Sequence, residues 1–399
     1  VSEGSASREP FHCQTITPLY GGGVRGGEVD TELPIRPSGL RGQWRFWWRL
    51  LHRDRYPSSR AMFIAERALW GGLGEQGATA SRVRLRVSGV SKPTLFPAFA
   101  FKKKADGRYG AAPQPGAGVS AYALFSAQGR LSDRNQEIEE HPRSLAEAGV
   151  IFTLHLDCPS EHRAEVEEAL RWWASFGGVG ARTRRGLGAV RVDGLAPVTV
   201  KEVEQAGGRL VLRERANDAR DAWKRAVDPL RELRQGSDVG RNPPAPDSNR
   251  PGRSRWPEAD MIRRVSGRHA TLHAPEHPVH GYYPRAAFGL PVVFHFKDRD
   301  DPTDHILEPD GDFDRMASPL ILRPYWDGQG YRPAALLLPG WERALRQDLK
   351  LKGTPHRRLS VWPGDPATQQ ETAGQIKPMV GRGADPLTAF LDFFAKGGA

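Results

Sequence analysis

Two stretches of the chain combine positive charge with groups that suit a phosphate strand. In the first, Leu40 to Arg53, Arg41, Arg45 and Arg49 stand four residues apart, with Trp48 and His52 beside them. On a helix turning about 100° per residue, these five side chains share one stripe. Like charges at this spacing repel by a few tenths of a kcal/mol, roughly, per pair. Asp54 and Glu66 are the nearby carboxylates. Such a row suits phosphates and one unstacked base, whose stacking on an aromatic ring is worth about 1–3 kcal/mol. The competing reading is a solvated basic face with Trp48 buried in a neighbouring layer.

The second stretch, Phe176 to Val190, reads FGGVGARTRRGLGAV. Gly177, Gly178, Gly180, Gly186 and Gly188 permit positive φ and close backbone approach. Arg182, Arg184 and Arg185 add charge, and exposed amides beside them would form an anion nest. A flexible basic turn is the plainer alternative. The pattern GxxxxGK[ST] is absent, and the loop follows a helix, so neither a P-loop nor a dinucleotide fingerprint fits.

Other candidates carry less. His52, near the arginines, is the one candidate general base for attack by a ribose 2′-OH; filling the stripe is its bland role. His269, His273, His277 and His280 include i+4 steps, but Pro275 and Pro278 break a helix there, so a polar loop without metal is expected. Asp298 to Asp304 and Asp310 to Asp314 lack the spacing of a calcium loop. Cys13 and Cys158 lie in separate predicted strands with no CxxC, which predicts two buried thiols.

The elements that must position these groups follow from periodicity. Strands are predicted over 11–20, 82–88, 150–158 and 189–192, and helices over 40–53, 60–69 and 161–175, with Ser38 and Gly39 before the first helix as caps. The order strand, helix, strand, strand, helix, strand is the ferredoxin-like split βαβ pattern in an α+β fold. Residues 93–147, with Lys102, Lys103 and Lys104 and a Gly/Pro/Ala stretch at 110–118, read as an irregular insertion. In the second half a helix fits 217–235, a mobile loop 236–257, strands 290–296, 320–325 and 334–338, and a last helix 386–394 capped by Asp385.

The chain has 399 residues, enough for about two to three domains, and 38% are hydrophobic. A net charge of +11 and a pI near 9.9 favour polyanionic partners, nucleic acid first. Most of the cations are Arg, which forks onto phosphate and stacks on bases. Codon bias alone can produce that excess, so position along the chain decides. No run approaches the ~18 apolar residues of a membrane span, and the polar start, Val1 to Pro10, argues against a secretory signal. A cytoplasmic protein without membrane contact is expected.

PIRPSGLRGQWRFWWR (Pro34 to Arg49) and FGGVGARTRRGLGAV together resemble the RAMP superfamily of CRISPR proteins, and within it the first subunits of Cmr-type (type III-B) effector complexes. In that family a strand ending in TPL.GG leads to an IRP-S/T-x-x-x-G turn and an Arg/Trp-rich helix. Thr17, Pro18, Leu19, Gly21 and Gly22, then Ile35, Arg36, Pro37, Ser38 and Gly42, hold those positions. ALWGG (Ala68 to Gly72), AFGLP (Ala287 to Pro291) and SPLILRP (Ser318 to Pro324) also match.

The resemblance implies two ferredoxin-like (RRM-like) βαββαβ domains, over 1–200 and, more divergent, 201–399. It implies an RNA-binding subunit that holds the 3′ part of a guide RNA and contacts target RNA in antiviral defence. Other RAMP subunits would be partners, target cleavage would lie in a different subunit, and no cofactor would be needed. The expected RNA-binding residues are Arg36, Ser38, Arg41, Arg45, Trp48, Arg49, Gly177, Gly178, Gly180, Arg182, Arg184, Arg185 and Gly186. Arg25 and Lys102 to Lys104 are weaker candidates. The alternative is a metal-independent, RNA-processing endoribonuclease of the same superfamily acting through His52.

Overall fold

The computed structural model describes residues 9–75, 77–114, 121–132, 135–246, 251–296, 298–354 and 358–398. The polar start over 1–8 and the later part of the Gly/Pro/Ala stretch, from 115 on, lie outside them. The fold is mixed α+β with several antiparallel sheets. The chain divides into two compact units. One comprises Val1–Ala206, Glu214–Val227 and Leu322–Ala334; the other comprises Gly207–Arg213, Asp228–Ile321 and Ala335–Ala399.

In the first unit the order is β1 (Phe11–Thr15), α1 (Pro37–His52), α2 (Ser59–Trp70), β2 (Arg84–Ser88), β3 (Ile151–Asp157), α3 (Arg163–Phe176) and β4 (Val190–Val192). The four strands form one antiparallel sheet in the order β4–β1–β3–β2. Each strand alternates, and Phe11, Cys13, Phe152, Leu154, Leu85, Val190 and Val192 point into the core. There α1 meets α3 through tryptophans: Trp44 lies 5.9 Å from Trp173, and Trp47 5.9 Å from Trp172, ring to ring. Burying each such ring is worth about 1.5–3 kcal/mol or more.

Local chemistry moves some boundaries. β1 stops at Thr15 rather than 20, because Pro18 cannot donate to a ladder. Helix α1 begins at Pro37, not Leu40: the proline takes the first helical position, and Arg36 stands at the N-cap without a side-chain capping bond. The predicted caps Ser38 and Gly39 are therefore inside the helix. Helix α2 is capped by Ser58, whose hydroxyl accepts from the Ala61 amide at 3.1 Å. The insertion is not irregular throughout: Phe99–Lys103 pairs with Tyr109–Pro113, and Leu95–Pro97 with Ser144–Ala146.

Further along come β5 (Arg209–Leu212), α4 (Ala219–Gln235), α5 (Glu258–Ser266), β6 (Val292–Phe294), β7 (His305–Pro309), β8 (Leu320–Trp326), β9 (Tyr331–Leu337), β10 (Asp348–Leu351), β11 (Leu359–Ser360) and α6 (Pro386–Ala395). One sheet takes the order β5–β9–β8 and another the order β6–β7–β10–β11. Asp385 caps α6 by accepting from the Leu387 and Thr388 amides. Cys13 and Cys158 are buried free thiols, and burial pushes Cys13 up to about 12. Among the described residues no helix is long and apolar enough to cross a membrane.

Candidate nucleic-acid interface

A cleft of about 280 Å³ lies in the first unit where the start of α1 meets the Gly/Arg loop. Arg36, Ser38, Gly39 and Gln43 line it from the helix side, Gly178, Val179 and Gly180 from the loop, and Gly22 from the turn after β1. The sequence separates the two walls by well over 100 residues, and the fold joins them. The first turn of α1 contains no acid. The amides of Ser38 and Gly39 precede the first bond of the helix, Leu40 N–H to the Arg36 carbonyl at 3.1 Å, so they have no intrahelical acceptor. Arg36 donates to Asp30 at the cleft edge. The Leu33 amide, then Arg36 and the Glu32 amide, hold the Asp30 carboxyl below the usual carboxylate range.

The Gly/Arg loop is a braced turn. The Val179 amide donates to the Gly188 carbonyl (2.8 Å), the Ala181 amide to Tyr20 (2.7 Å) and the Gly188 amide to Pro18 (2.8 Å). Thr17 Oγ1 donates to the Gly186 carbonyl at 2.6 Å and accepts from the Ala189 amide at 2.8 Å. These amides serve the fold, which corrects the picture of a wholly open anion nest. Gly180 has φ +76°, and a Cβ there would fall 2.5 Å from the Tyr20 carbonyl. Gly186 (φ +78°) is pressed against Trp223, whose indole donates to the Arg185 carbonyl at 2.7 Å.

Arg323 was not foreseen as part of this region. It is 1% exposed and donates to the carbonyls of Gly177, Val190 (3.2 Å) and Pro324 (2.9 Å). Burial pulls its guanidinium down to about 9, which still leaves it charged at neutral pH. It caps the carbonyl end of α3 and fixes the start of the loop. Its place inside SPLILRP was the available signal. Gln43 and Val179 also line the cleft without having been predicted.

The Arg stripe of α1 takes a different form from the expected one. Glu66, 4% exposed, accepts from Arg45 (2.7 Å) and Arg49 (2.8 Å), so three charges leave one net positive. Arg41 is half-buried, and its Nε has no hydrogen-bond partner among the described residues. Trp48 is 1% exposed and its indole donates to Glu165 at 2.7 Å, so it offers no face to a base. His52 is equally buried. Its ring stacks on Trp48, Nδ1 lies 2.8 Å from the Trp48 carbonyl, and desolvation lowers its pKa. His52 therefore stands in the core rather than in the exposed stripe expected from the sequence.

The loop arginines lie against their own unit. Arg184 stands over the Phe46 ring of α1 at 5.7 Å, and burial lowers the pKa of Arg182 and Arg184. Arg182 adopts a left-handed conformation, φ 57°. Arg185 Nη1 donates to the Arg184 carbonyl. Arg25 and Lys102 to Lys104 are exposed and outside the cleft, the lysines on the Phe99–Lys103 hairpin.

In the second unit, ligand atoms of His273, Asp298 and Asp301 lie within 4.8 Å of one another. A cation already sits there: Arg263 donates to both oxygens of Asp301, at 3.0 and 2.9 Å. His277 turns away, with Nδ1 accepting from the Val279 amide and Nε2 near the Arg255 carbonyl.

Residues 12–191 match the model of the family described as the RAMP superfamily. No curated protein matches the chain. Among solved structures it is similar to Cmr1 from Pyrococcus furiosus in the apo form, at 14% identity over 97% of this chain and 95% of that one, with a TM-score of 0.48. It is also similar to a chain of the type III-B Cmr-beta complex bound to cognate target RNA, at 10% identity over 97% and 100%, TM-score 0.44. A chain of a type IV-B CRISPR complex aligns with 48% of this chain and 92% of its own length, at 16% identity and TM-score 0.28. Both walls of the cleft are built from residues inside the stretch, 12–191, that matches the RAMP-superfamily model.

Proposed function

We propose that this chain is an RNA-holding subunit of a type III-B CRISPR ribonucleoprotein, and that it grips a single-stranded RNA backbone in the cleft between the start of α1 and the Gly/Arg loop. One observation carries the reading. The uncapped, acid-free start of α1 lines the same space as Gly178–Gly180. A helix start favours anions through its unsatisfied N–H groups and its dipole. Arg36 stands at the edge and can exchange Asp30 for phosphate, a charge-assisted pair of the same kind. Arg45 and Arg49, with one carboxylate between them, add a net positive charge on the same helix.

The type III-B placement rests on the motifs around Arg36 and Gly180 in a RAMP-superfamily segment. In that reading the ligands are the 3′ part of a guide RNA and target RNA, and the protein partners are other RAMP subunits. The role is binding without cleavage, since His52 lies inside the core. We read the first unit as a ferredoxin-like domain from its β4–β1–β3–β2 order. The run β5, α4, β8, β9, α6, with β5 beside β9, reads as a second and more divergent copy.

Ser38→Asp tests the site. An acid at a helix start stabilises the helix by about 0.3–1 kcal/mol, so folding is retained. It also places a negative charge in the cleft. Fluorescence anisotropy with a labelled oligouridine should show affinity falling about tenfold or more. Unchanged affinity, with an unchanged circular dichroism spectrum, would contradict the assignment.

A further inference from the structure

The alternation that buries one side of the first unit's sheet leaves the other side exposed or half-exposed among the described residues. His12 and Gln14 of β1 stand between buried Phe11, Cys13 and Thr15. Arg191 of β4 pairs with Gln14 and lies between buried Val190 and Val192. His155 of β3 pairs with Arg86 of β2. His12 and Arg86 are exposed, and Gln14, His155 and Arg191 half-exposed. Arg84 is 82% exposed, with Asp157 at 3.8 Å. Apart from Ile151, 52% exposed beside Gln14, this face is polar and basic, where a protein–protein core would be apolar.

At the β4 edge the face runs into a cavity of about 480 Å³. Arg191, Trp326 and the 193–197 loop line it. Trp326 is half-exposed. The Arg191 guanidinium lies 5.4 Å from the Trp326 ring, and Tyr331 stands 5.0 Å from it at 59°. The loop wall is fixed. Arg171 donates to the Ala196 carbonyl at 3.1 Å and the Pro197 carbonyl at 3.3 Å, and the Val198 amide donates to Ser175 Oγ at 3.1 Å. An indole flanked by a guanidinium on a rigid wall is a stacking platform for a base. Asp193, which accepts from Arg191 at 3.2 Å, supplies an acceptor for a base edge.

We propose that this cavity takes one unstacked nucleobase of a single-stranded RNA whose backbone crosses the open sheet face along Arg191 and Arg86. The role is binding. Both nitrogens of His155 are engaged, Nδ1 by Arg86 at 3.0 Å and Nε2 with Ser88 at 2.8 Å. A guanidinium only donates, so Nδ1 accepts from Arg86. The inference rests on the RNA-binding reading for the kind of ligand, but its site lies at the β4 edge of the sheet and shares no lining residue with the cleft.

The test is photo-crosslinking of the full chain to single-stranded RNA containing 4-thiouridine, with adducts mapped by mass spectrometry. Adducts are expected on the peptides holding Arg191 and Trp326. Trp326→Ala should lose them and weaken binding about tenfold, while Trp326→Phe, which keeps a ring, should retain both. Adducts confined to the segments around Arg36 and Gly180, with Trp326→Ala binding as the parent does, would overturn this inference and leave the cleft intact. No adduct anywhere would overturn both. Protection of Trp326 from hydroxyl radicals by sister subunits but not by RNA would assign the face to a protein instead.

Discussion

In the second unit Arg263 lies between Asp260 and Asp301, all three under 10% exposed, with His273 on the Asp301 oxygen that also accepts from Arg263 Nη2. Arg253 shares Asp260, and Arg285 pairs with fully buried Glu258. In the first unit Arg45 and Arg49 divide one carboxylate, Arg323 is held by carbonyls, and the Nε atoms of Arg41 and Arg182 have no hydrogen-bond partner among the described residues. Both regions are rich in arginine. One matches its guanidinium groups with acids and becomes structural, while the other sets Arg45 and Arg49 against a single carboxylate and holds Arg323 by carbonyls alone. The local ratio of carboxylates to guanidinium groups distinguishes them.

The comparison breaks most easily at Asp301. Asp301→Ala strands the buried charge of Arg263 and should cost about 3–5 kcal/mol of stability. Urea denaturation measures the cost, and RNA affinity of the folded fraction should stay at the parent value. A large loss of affinity would erase the distinction between the regions. Arg323→Met comes next. It leaves the Gly177 and Val190 carbonyls without their donor, at about 2–4 kcal/mol, and should loosen the loop wall of the cleft. Here affinity and stability should fall together.

Glu66→Gln sharpens the contrast by acting in the opposite direction. It removes the carboxylate that Arg45 and Arg49 share, at a cost of about 1 kcal/mol because both arginines reach solvent. RNA affinity at low salt should rise several-fold, and its salt dependence should steepen. A fall in affinity would mean that the pairing orients those arginines productively.

Acid gives the smallest effect. Burial pushes the Asp301 carboxyl up, but hydrogen bonds from Arg263, the Ala270 amide and His273 outweigh it and bring it down to about 2. Because the folded value lies below the ordinary 3.8, its stabilisation is complete above about pH 4 and disappears as pH falls toward 2. Glu202, brought to about 2 by Arg171 and by Thr199, behaves likewise in the first unit. Stability measured from pH 5 to pH 2 should fall through this window, and Asp301→Asn should flatten the second unit's share.

Much of the first unit was readable because its elements are long and strictly periodic: α1, α3 and the alternating strands β2 and β3 all stand close to their expected spans. The side of α1 on which Trp48 and His52 end up was not. A stripe at helical spacing looks the same whether it meets solvent or another helix, and the acid that decided it, Glu165, lies 117 residues away. The hairpins within 93–147 escaped because strands of three to five residues carry too little alternation to register. Glycines at 178 and 180 pointed to the loop wall of the cleft, and Pro37 should have marked the helix start. Arg323 was hidden in an apolar strand, where only the unpaired carbonyls at the end of α3, a tertiary feature, explain a buried cation.

Amide hydrogen exchange of the full chain with and without a single-stranded oligouridine tests most directly whether the two walls hold one strand. Slowed exchange at Ser38–Leu40 and at Gly178–Gly180 together, lost in Ser38→Asp, is the expected outcome. RNA bound with neither segment protected, or with one protected and the other unchanged, would contradict a shared cleft.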